Sequence, residues 1–255
     1  MAAAIAWLGY KNMDRLHRSE AVMRFAVKIN PRSAYAQSHL GYVLLKKGKI
    51  ADAVRHFTEA VKIKPDQADT RNNLGFALLN QGRALDGILQ LREALKLKPD
   101  YVDARNNLGL ALYSHGDLDE AIDEFRKVLM AKPNDAQTHG NLGAALSKRG
   151  DVDLAIGHFR EAIRLEPGSV EARNNLGIAL NNQGKLADAI TELGAALQMG
   201  KPQAKTHTYL AVALAKQGKI DEAIEHLQEA LRIDPDYPDA RNNSPVLLKL
   251  KGRNE

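Results

Sequence analysis

Cysteine is absent from the 255-residue chain, which excludes disulfides and thiolate metal sites together. That absence fits the cytosol and leaves the periplasm open. Aromatic residues make up 5% of the chain, with a single Trp; alanine and leucine dominate, as expected where helices pack closely. No apolar run reaches the ~20 residues that a membrane helix needs. Ala2 to Gly9 is apolar but far shorter, and no signal-type cleavage site follows it. The glycines are isolated, so no phosphate-binding loop is present, and no nucleophile–base constellation stands out. The excess of positive charge is small, 36 Lys/Arg against 31 Asp/Glu for a net +5. Residues 1–33 contribute +4 and residues 238–255 contribute +2, leaving −1 over 34–237. A nucleic-acid binder needs a continuous basic face, and basic ends on a nearly neutral middle argue against that class.

What the chain does have is repetition. Ala172 to Gly184 reads ARNNLGIALNNQG, and relatives of it begin at Ala36, Thr70, Ala104, Thr138, Thr206 and Ala240, each 34 residues apart in the series. A fixed period of this length signals stacked supersecondary units that share their apolar faces with neighbours. Six full units follow one another: 34–67, 68–101, 102–135, 136–169, 170–203 and 204–237. Residues 1–33 form a degenerate N-terminal capping unit, with Trp7 as the expected plug over the first repeat. Residues 238–255 form a truncated cap helix and tail.

Each unit reads as two helices. In the first, these run from about Tyr35 to Lys47 and from Ile50 to Ile63, separated by Gly48 and followed by Pro65. The turn glycine recurs as Gly82, Gly116, Gly150, Gly184, Gly218 and Gly252. Pro99, Pro133, Pro167 and Pro235 close later units on schedule, and Pro202 comes one residue late. Leu74, Ala77, Leu78, Ile88, Leu91 and Leu95 keep three- and four-residue spacing. Small residues mark close helix crossings: Gly75, Gly109, Gly143, Gly177 and Ala211 on first helices, with Ala53, Ala121, Ala155, Ala189 and Ala223 on second helices. Gly87 stands in for that second-helix alanine at some cost in helix propensity. At the C-terminus, Asn243-Ser244-Pro245 replaces Asn-Leu-Gly. A kinked or restarted helix is expected near 245–251, with Ser244 as its cap.

In one unit Leu108, Gly109, Leu112, Gly116, Ala121, Phe125 and Pro133 carry the pattern. Repeated six times, it resembles the tetratricopeptide repeat (TPR) family over 34–237 and, partly, at both ends. The resemblance implies an all-α fold, an α-solenoid in which antiparallel helix pairs stack into a right-handed superhelix. It implies first helices lining a concave groove and a non-catalytic role in protein interaction. The Asn before Leu-Gly is similar to the asparagine ladder of O-linked N-acetylglucosamine transferase. The matching positions are Asn73, Asn107, Asn141 and Asn175, with Asn243 a poorer match; His39 and Tyr209 interrupt the series. The basic residues of the chaperone-binding carboxylate clamp are missing. Asp69, Asn72, Asp103 and Asn106 stand in the corresponding positions, so no carboxylate-clamp chaperone partner is expected.

Helical geometry puts the second, fifth, sixth, ninth, twelfth and thirteenth residues of each unit near one face. That face collects Asn72, Asn73, Asn106, Asn107, Asn141, Asn174 and Asn175, with Tyr42, Phe76, Leu110, Tyr113 and Ile178 as apolar members. An amide side chain offers donors and an acceptor that match a peptide unit, so an Asn ladder can grip an extended backbone. The competing account is that Asn is copied by duplication or links adjacent repeats. The histidines His56, His158 and His226 share one repeat position, and His139 and His207 another. Equivalent positions sit ~8–10 Å or more apart, too far to share one ion, so no metal and no cofactor is expected. Asp69, Asp103, Glu171 and Asp239 fall in first turns, where they complement the helix dipole.

The sequence therefore points to a non-catalytic scaffold binding an extended or helical peptide segment of another protein, with no nucleic acid. Two alternatives stand beside it. The first reads the chain as the TPR portion of, or accessory to, a protein glycosyltransferase or membrane-anchored complex, with membrane contact confined to residues 1–33. The second reads it as a self-associating scaffold whose atypical ends stack between chains. A cytoplasmic location is expected, with periplasmic or membrane-associated ones left open.

Overall fold

The structure, a computed structural model, describes residues 19–200 and 203–254. Trp7, the apolar Ala2–Gly9 stretch, Pro202 and the part of the expected N-terminal cap before residue 19 lie outside the described residues. Helical segment α1 covers 19–29. The helices that follow are α2 (Ala34–Lys46), α3 (Ile50–Ile63), α4 (Ala68–Asn80), α5 (Ala84–Leu97), α6 (Val102–His115) and α7 (Leu118–Ala131). After them come α8 (Ala136–Arg149), α9 (Val152–Leu165), α10 (Val170–Asn182), α11 (Leu186–Met199), α12 (Ala204–Lys216), α13 (Ile220–Ile233) and α14 (Pro238–Asn254). The chain divides into two compact units between Lys127 and Val128, within α7. No strand occurs among the described residues. The fold is an all-α solenoid of helix pairs.

In the first unit α2 packs on α3 and α4 on α5, and the first helices α2, α4 and α6 are neighbours in one layer. The second unit repeats the arrangement with the pairs α8–α9, α10–α11 and α12–α13, and with α8, α10, α12 and α14 as neighbours. Each pair is turned by its glycine. Gly48 sits at φ +73° and Gly150 at φ +108°, the left-handed region where a side chain costs energy. Beyond it the Lys49 N–H closes on the Leu44 carbonyl at 2.9 Å and Asp151 N–H on Leu146 at 2.9 Å, satisfying carbonyls the helix end leaves free.

Where the two helices of a pair cross, a first-helix glycine lies over a second-helix ring. A Cβ on Gly41, Gly109 or Gly143 would come within 3.0 Å of Phe57, Phe125 or Phe159. Those rings are at most 1% exposed, so truncating one to alanine should cost about 3–5 kcal/mol. Gly87 has its own reason: a Cβ there would meet the Gly75 carbonyl oxygen at 2.9 Å and Leu79 at 2.8 Å. In this repeat Leu91 replaces the ring, both helices are bare at the crossing, and glycine is required on each side.

A second device ties each pair. The fourth residue of a first helix reaches across to the side chain nineteen residues later and, in every repeat but 204–237, back to the carbonyl of the proline six residues earlier. Gln37 contacts Pro31 at 2.9 Å and His56 at 2.7 Å. Arg71 contacts Pro65 at 2.8 Å and Gln90 at 2.9 Å. Arg105 bonds Pro99 and the buried Glu124, the latter at 2.7 Å. Arg173 takes Pro167 at 3.4 Å and Glu192 at 2.8 Å. Two repeats use histidine on both sides: His139 with His158, and His207 with His226, each at 3.0 Å between Nδ1 atoms.

The C-terminal helix differs from expectation. It does not restart at Ser244 but begins at Pro238 and runs unbroken through Pro245. Pro238 already supplies a favourable first position, and the exposed Pro245 removes only one backbone bond. Asn243 Nδ2 donates to the Asp239 carbonyl at 2.8 Å one turn upstream. Gly252, expected in a turn, lies inside this helix.

Candidate functional site

The face of the first helices carries the residues singled out by the repeat pattern, and the structure sorts them into two sets. In the first unit Asn73, Asn106 and Asn107 are half-buried, as are Leu110 and Tyr113. Tyr42 and Phe76 are 42% exposed each, large apolar side chains standing beside the amides. In the second unit Asn141, Asn175 and Ile178 are half-buried. Asn72 and Asn174, the first members of their Asn pairs, are instead buried, at 7% and 2% exposure.

Burial gives Asn72 a structural task. Its Oδ1 accepts from Asn107 Nδ2 of the following repeat at 2.9 Å, and its own amide leans toward Asn73 Oδ1 at 3.4 Å. The fifth residue of one repeat is thus linked to the sixth of the next. The same corner holds the Tyr101 phenol, whose pKa is pushed up by burial and by its hydrogen bond to Asp69, with Asn72 donating to it. A parallel link joins Ser38 and Thr70 hydroxyls at 3.0 Å. Asn174 has no such partner. Its Oδ1 is enclosed without a hydrogen bond, because the sixth residue of the next repeat is Tyr209.

Around Asn73 and Asn107 lies an open pocket of about 490 Å³ in which Tyr42, Phe76 and Asp103 also take part. In the second unit an open pocket of about 450 Å³ is lined by Gly140, Asn141, Glu171 and Asn175 among others. Asn141 Nδ2 is shut off from solvent and has no hydrogen-bond partner, a condition that costs about 1–3 kcal/mol for a buried donor. At the second, sixth and ninth positions of the first repeat α2 carries a ring row, with Tyr35 stacked on His39 at 5.6 Å and His39 tilted against Tyr42 at 6.4 Å. Tyr35 is 70% exposed.

The histidines converge in a way that comparing equivalent positions could not reveal. His139 Nε2 faces the Pro133 carbonyl at 3.0 Å, so that nitrogen carries the proton. Its Nδ1 is then an acceptor, and His158 Nδ1 donates to it. His139–His158 and His207–His226 are hydrogen-bonded latches at the positions where other repeats place Arg105–Glu124 and Arg173–Glu192. The shared nineteen-residue separation is the sequence signal that would have found them. Burial is the main cause lowering the His56, His207 and His226 pKa values. No group of three His, Asp or Glu able to hold a metal ion occurs among the described residues. No described helix is long and apolar enough to cross a membrane.

Comparison with known proteins agrees with this architecture. The family profile described as Tetratricopeptide repeat matches residues 72–136 and 141–205, and one described as TPR repeat matches 41–82 and 211–244. No curated protein matches the chain. Among solved structures, the APC/C hetero-tetramer Cut9-Hcn1 superposes with a TM-score of 0.76 at 22% identity, over 91% of this chain and 46% of that one. The present chain therefore spans less than half of that protein's chain. YrrB, described as a TPR protein with an unusual peptide-binding site, gives 0.59 at 25% identity over 74% of this chain and 97% of its own. PilF of Pseudomonas aeruginosa gives 0.70 at 18% identity over 82% and 95%. Matched by the family profile over half of its length, the chain belongs to the tetratricopeptide repeat family.

Proposed function

We propose that the protein is an interaction scaffold that holds an extended segment of a partner protein along the exposed face of its first helices. The observation that carries this reading is the set of half-buried amides lining open pockets on that face, Asn73 and Asn107 in the first unit and Asn141 and Asn175 in the second. An amide side chain offers the donors and acceptor that a peptide backbone matches. Exposed Tyr42 and Phe76 supply the rigid apolar anchors that peptide grooves need beside polar groups. Within the family, YrrB is described as having a peptide-binding site.

The buried amides divide from this set. Asn72 acts between helices and Asn174 is enclosed; the contacts to a ligand fall to Asn73, Asn107, Phe76, Leu110 and Tyr113 in the first unit and, separately, to Asn141, Asn175 and Ile178 in the second. The test is selection of binders from a displayed library of random dodecapeptides, followed by affinity measurement with synthetic copies. Phe76→Ala should weaken the selected peptides that dock on the first unit, and Asn141→Ala and Asn175→Ala those that dock on the second, each about 5–50-fold while far-UV circular dichroism stays unchanged. Selected peptides that bind all three variants as well as wild type would remove the groove from the account.

A further inference from the structure

The link between Asn107 and Asn72 defines what each repeat is expected to offer its successor: an amide at the fifth residue. The repeat 136–169 does not offer it, because its fifth residue is Gly140. Asn175, the counterpart of Asn107, therefore lacks the acceptor that Asn107 has. The space is real: a Cβ built on Gly140 meets nothing within 4 Å, and the pocket of about 450 Å³ opens there. Gly140 is not a turn residue, since it lies inside α8, where glycine costs about 1 kcal/mol against alanine. Nor is it needed for a close crossing, unlike Gly143 one turn later.

The walls of this notch are of one charge. Glu166 and Glu171 line it with Gln137, Asn141 and Asn175, and no lysine or arginine does. Both carboxylates belong to exposed residues. Most glutamates of the chain are held by a neighbouring base, as Glu161 is by Arg164 and Glu192 by Arg173. Glu166 and Glu171 form no ion pair among the described residues. A chain of net charge +5 thus carries, on its candidate binding face, an acidic notch walled by the half-buried Asn141 and Asn175.

Building on the proposed function, we infer that the Gly140 notch is a specificity subsite for a lysine or arginine side chain of the bound segment. The missing side chain makes room for the long aliphatic stem. The cationic head lies against Glu166 and Glu171, and the adjoining backbone carbonyl accepts from the half-buried Asn175 amide. Charge complementarity selects this occupant, because an acidic side chain would be repelled by two carboxylates and a neutral one would gain nothing from them.

The test uses peptides drawn from the dodecapeptide selection and three variants of the full chain. Selected peptides should share a lysine or arginine at one fixed position, and replacing that arginine by the isosteric, uncharged citrulline should weaken binding about tenfold or more. Glu171→Gln and Glu166→Gln should each weaken the basic peptide about 3–10-fold and leave the citrulline peptide unchanged. Gly140→Asn, which restores the amide that other repeats place there, should fill the notch and remove the preference for the basic residue. Peptides that depend on Asn141 and Asn175 but show no fixed basic position, or that bind the Gly140→Asn variant unaltered, would overturn the subsite while leaving the scaffold reading intact. Binding that ignores Asn141, Asn175 and Phe76 altogether would remove both.

Discussion

Two glycines one turn apart on α8 offer a paired experiment in which one variable is isolated. Gly143 and Gly140 are both helical residues, so replacing either by alanine gains about the same 0.8–1 kcal/mol of helix propensity. Their surroundings differ. A Cβ at Gly143 would stand 2.7, 2.8 and 3.1 Å from three atoms of the Phe159 ring, inside normal contact distance. The ring is 1% exposed and cannot swing away. A Cβ at Gly140 meets nothing. Overpacking of this kind costs about 1–3 kcal/mol. The propensity gain cancels between the two variants, and Gly143→Ala should be less stable than Gly140→Ala by that amount, about 1–3 kcal/mol. Relative to wild type, Gly140→Ala should be stabilised. Repeat arrays need not unfold in one step, so the measurement is native-state hydrogen exchange read within α8 and α9, supported by urea unfolding. Equal stability of the two variants would refute the crossing geometry and with it the role assigned to Gly41 and Gly109.

Other expectations follow from the links between helices. His207 and His226 have pKa values lowered from 6.5 mainly by burial, with Glu222, Glu225, Glu229 and Arg232 as the charged neighbours. Such bases take up protons more readily when unfolded, so α12 and α13 should lose stability as pH falls below about 6.5 and not above it. The double change H207R/H226E, copying Arg105–Glu124, should flatten that profile in hydrogen exchange; an unchanged slope would exclude the latch as its source. Asn72→Ala should cost about 1–2 kcal/mol by unpairing Asn107, against roughly 0.5 kcal/mol or less for Asn73→Ala, in urea unfolding. Glu20 contacts Lys47 at 2.6 Å, Arg24 at 2.9 Å and Lys49 at 3.3 Å, and the Lys47 hydrogen bond foremost lowers its pKa from 4.5 to about 2. Its contribution should therefore be present above pH 4.5 and be lost as pH falls toward 2; Glu20→Gln should cost about 1–3 kcal/mol at pH 7 and remove that part of the acid dependence.

What the sequence could and could not disclose divides along a physical line. Features that depend on one repeat alone were readable. A turn that needs positive φ leaves a glycine every time, as at Gly48 and Gly150, and an apolar three-four spacing marks which face is inward. The helix boundaries of the first repeat, Ala34–Lys46 and Ile50–Ile63, fall within a residue of those expected. Features that depend on a second element were not readable in the same way. Consecutive residues on a helix are about 100° apart, so Asn72 and Asn73 both lie near the exposed face. Asn72 turns inward because Asn107 of the next repeat is there to meet it. Gly87 looked like a weakened helix until Gly75 stood opposite it. Equivalent histidines do not meet, and their partners lie nineteen residues away on the facing helix. In a repeat protein the period aligns equivalent residues, and equivalent residues are the ones that rarely touch. Contacts are made between different positions of the repeat, so the informative comparison is between offsets. Arg105–Glu124, Arg173–Glu192, His139–His158 and His207–His226 share one offset, and variation along it changes the chemistry of a latch without changing the fold. Gly140 is the same principle applied to the offset that joins Asn72 to Asn107: the contact is deleted, the helix persists, and the vacated contact becomes a place where a partner's side chain can enter.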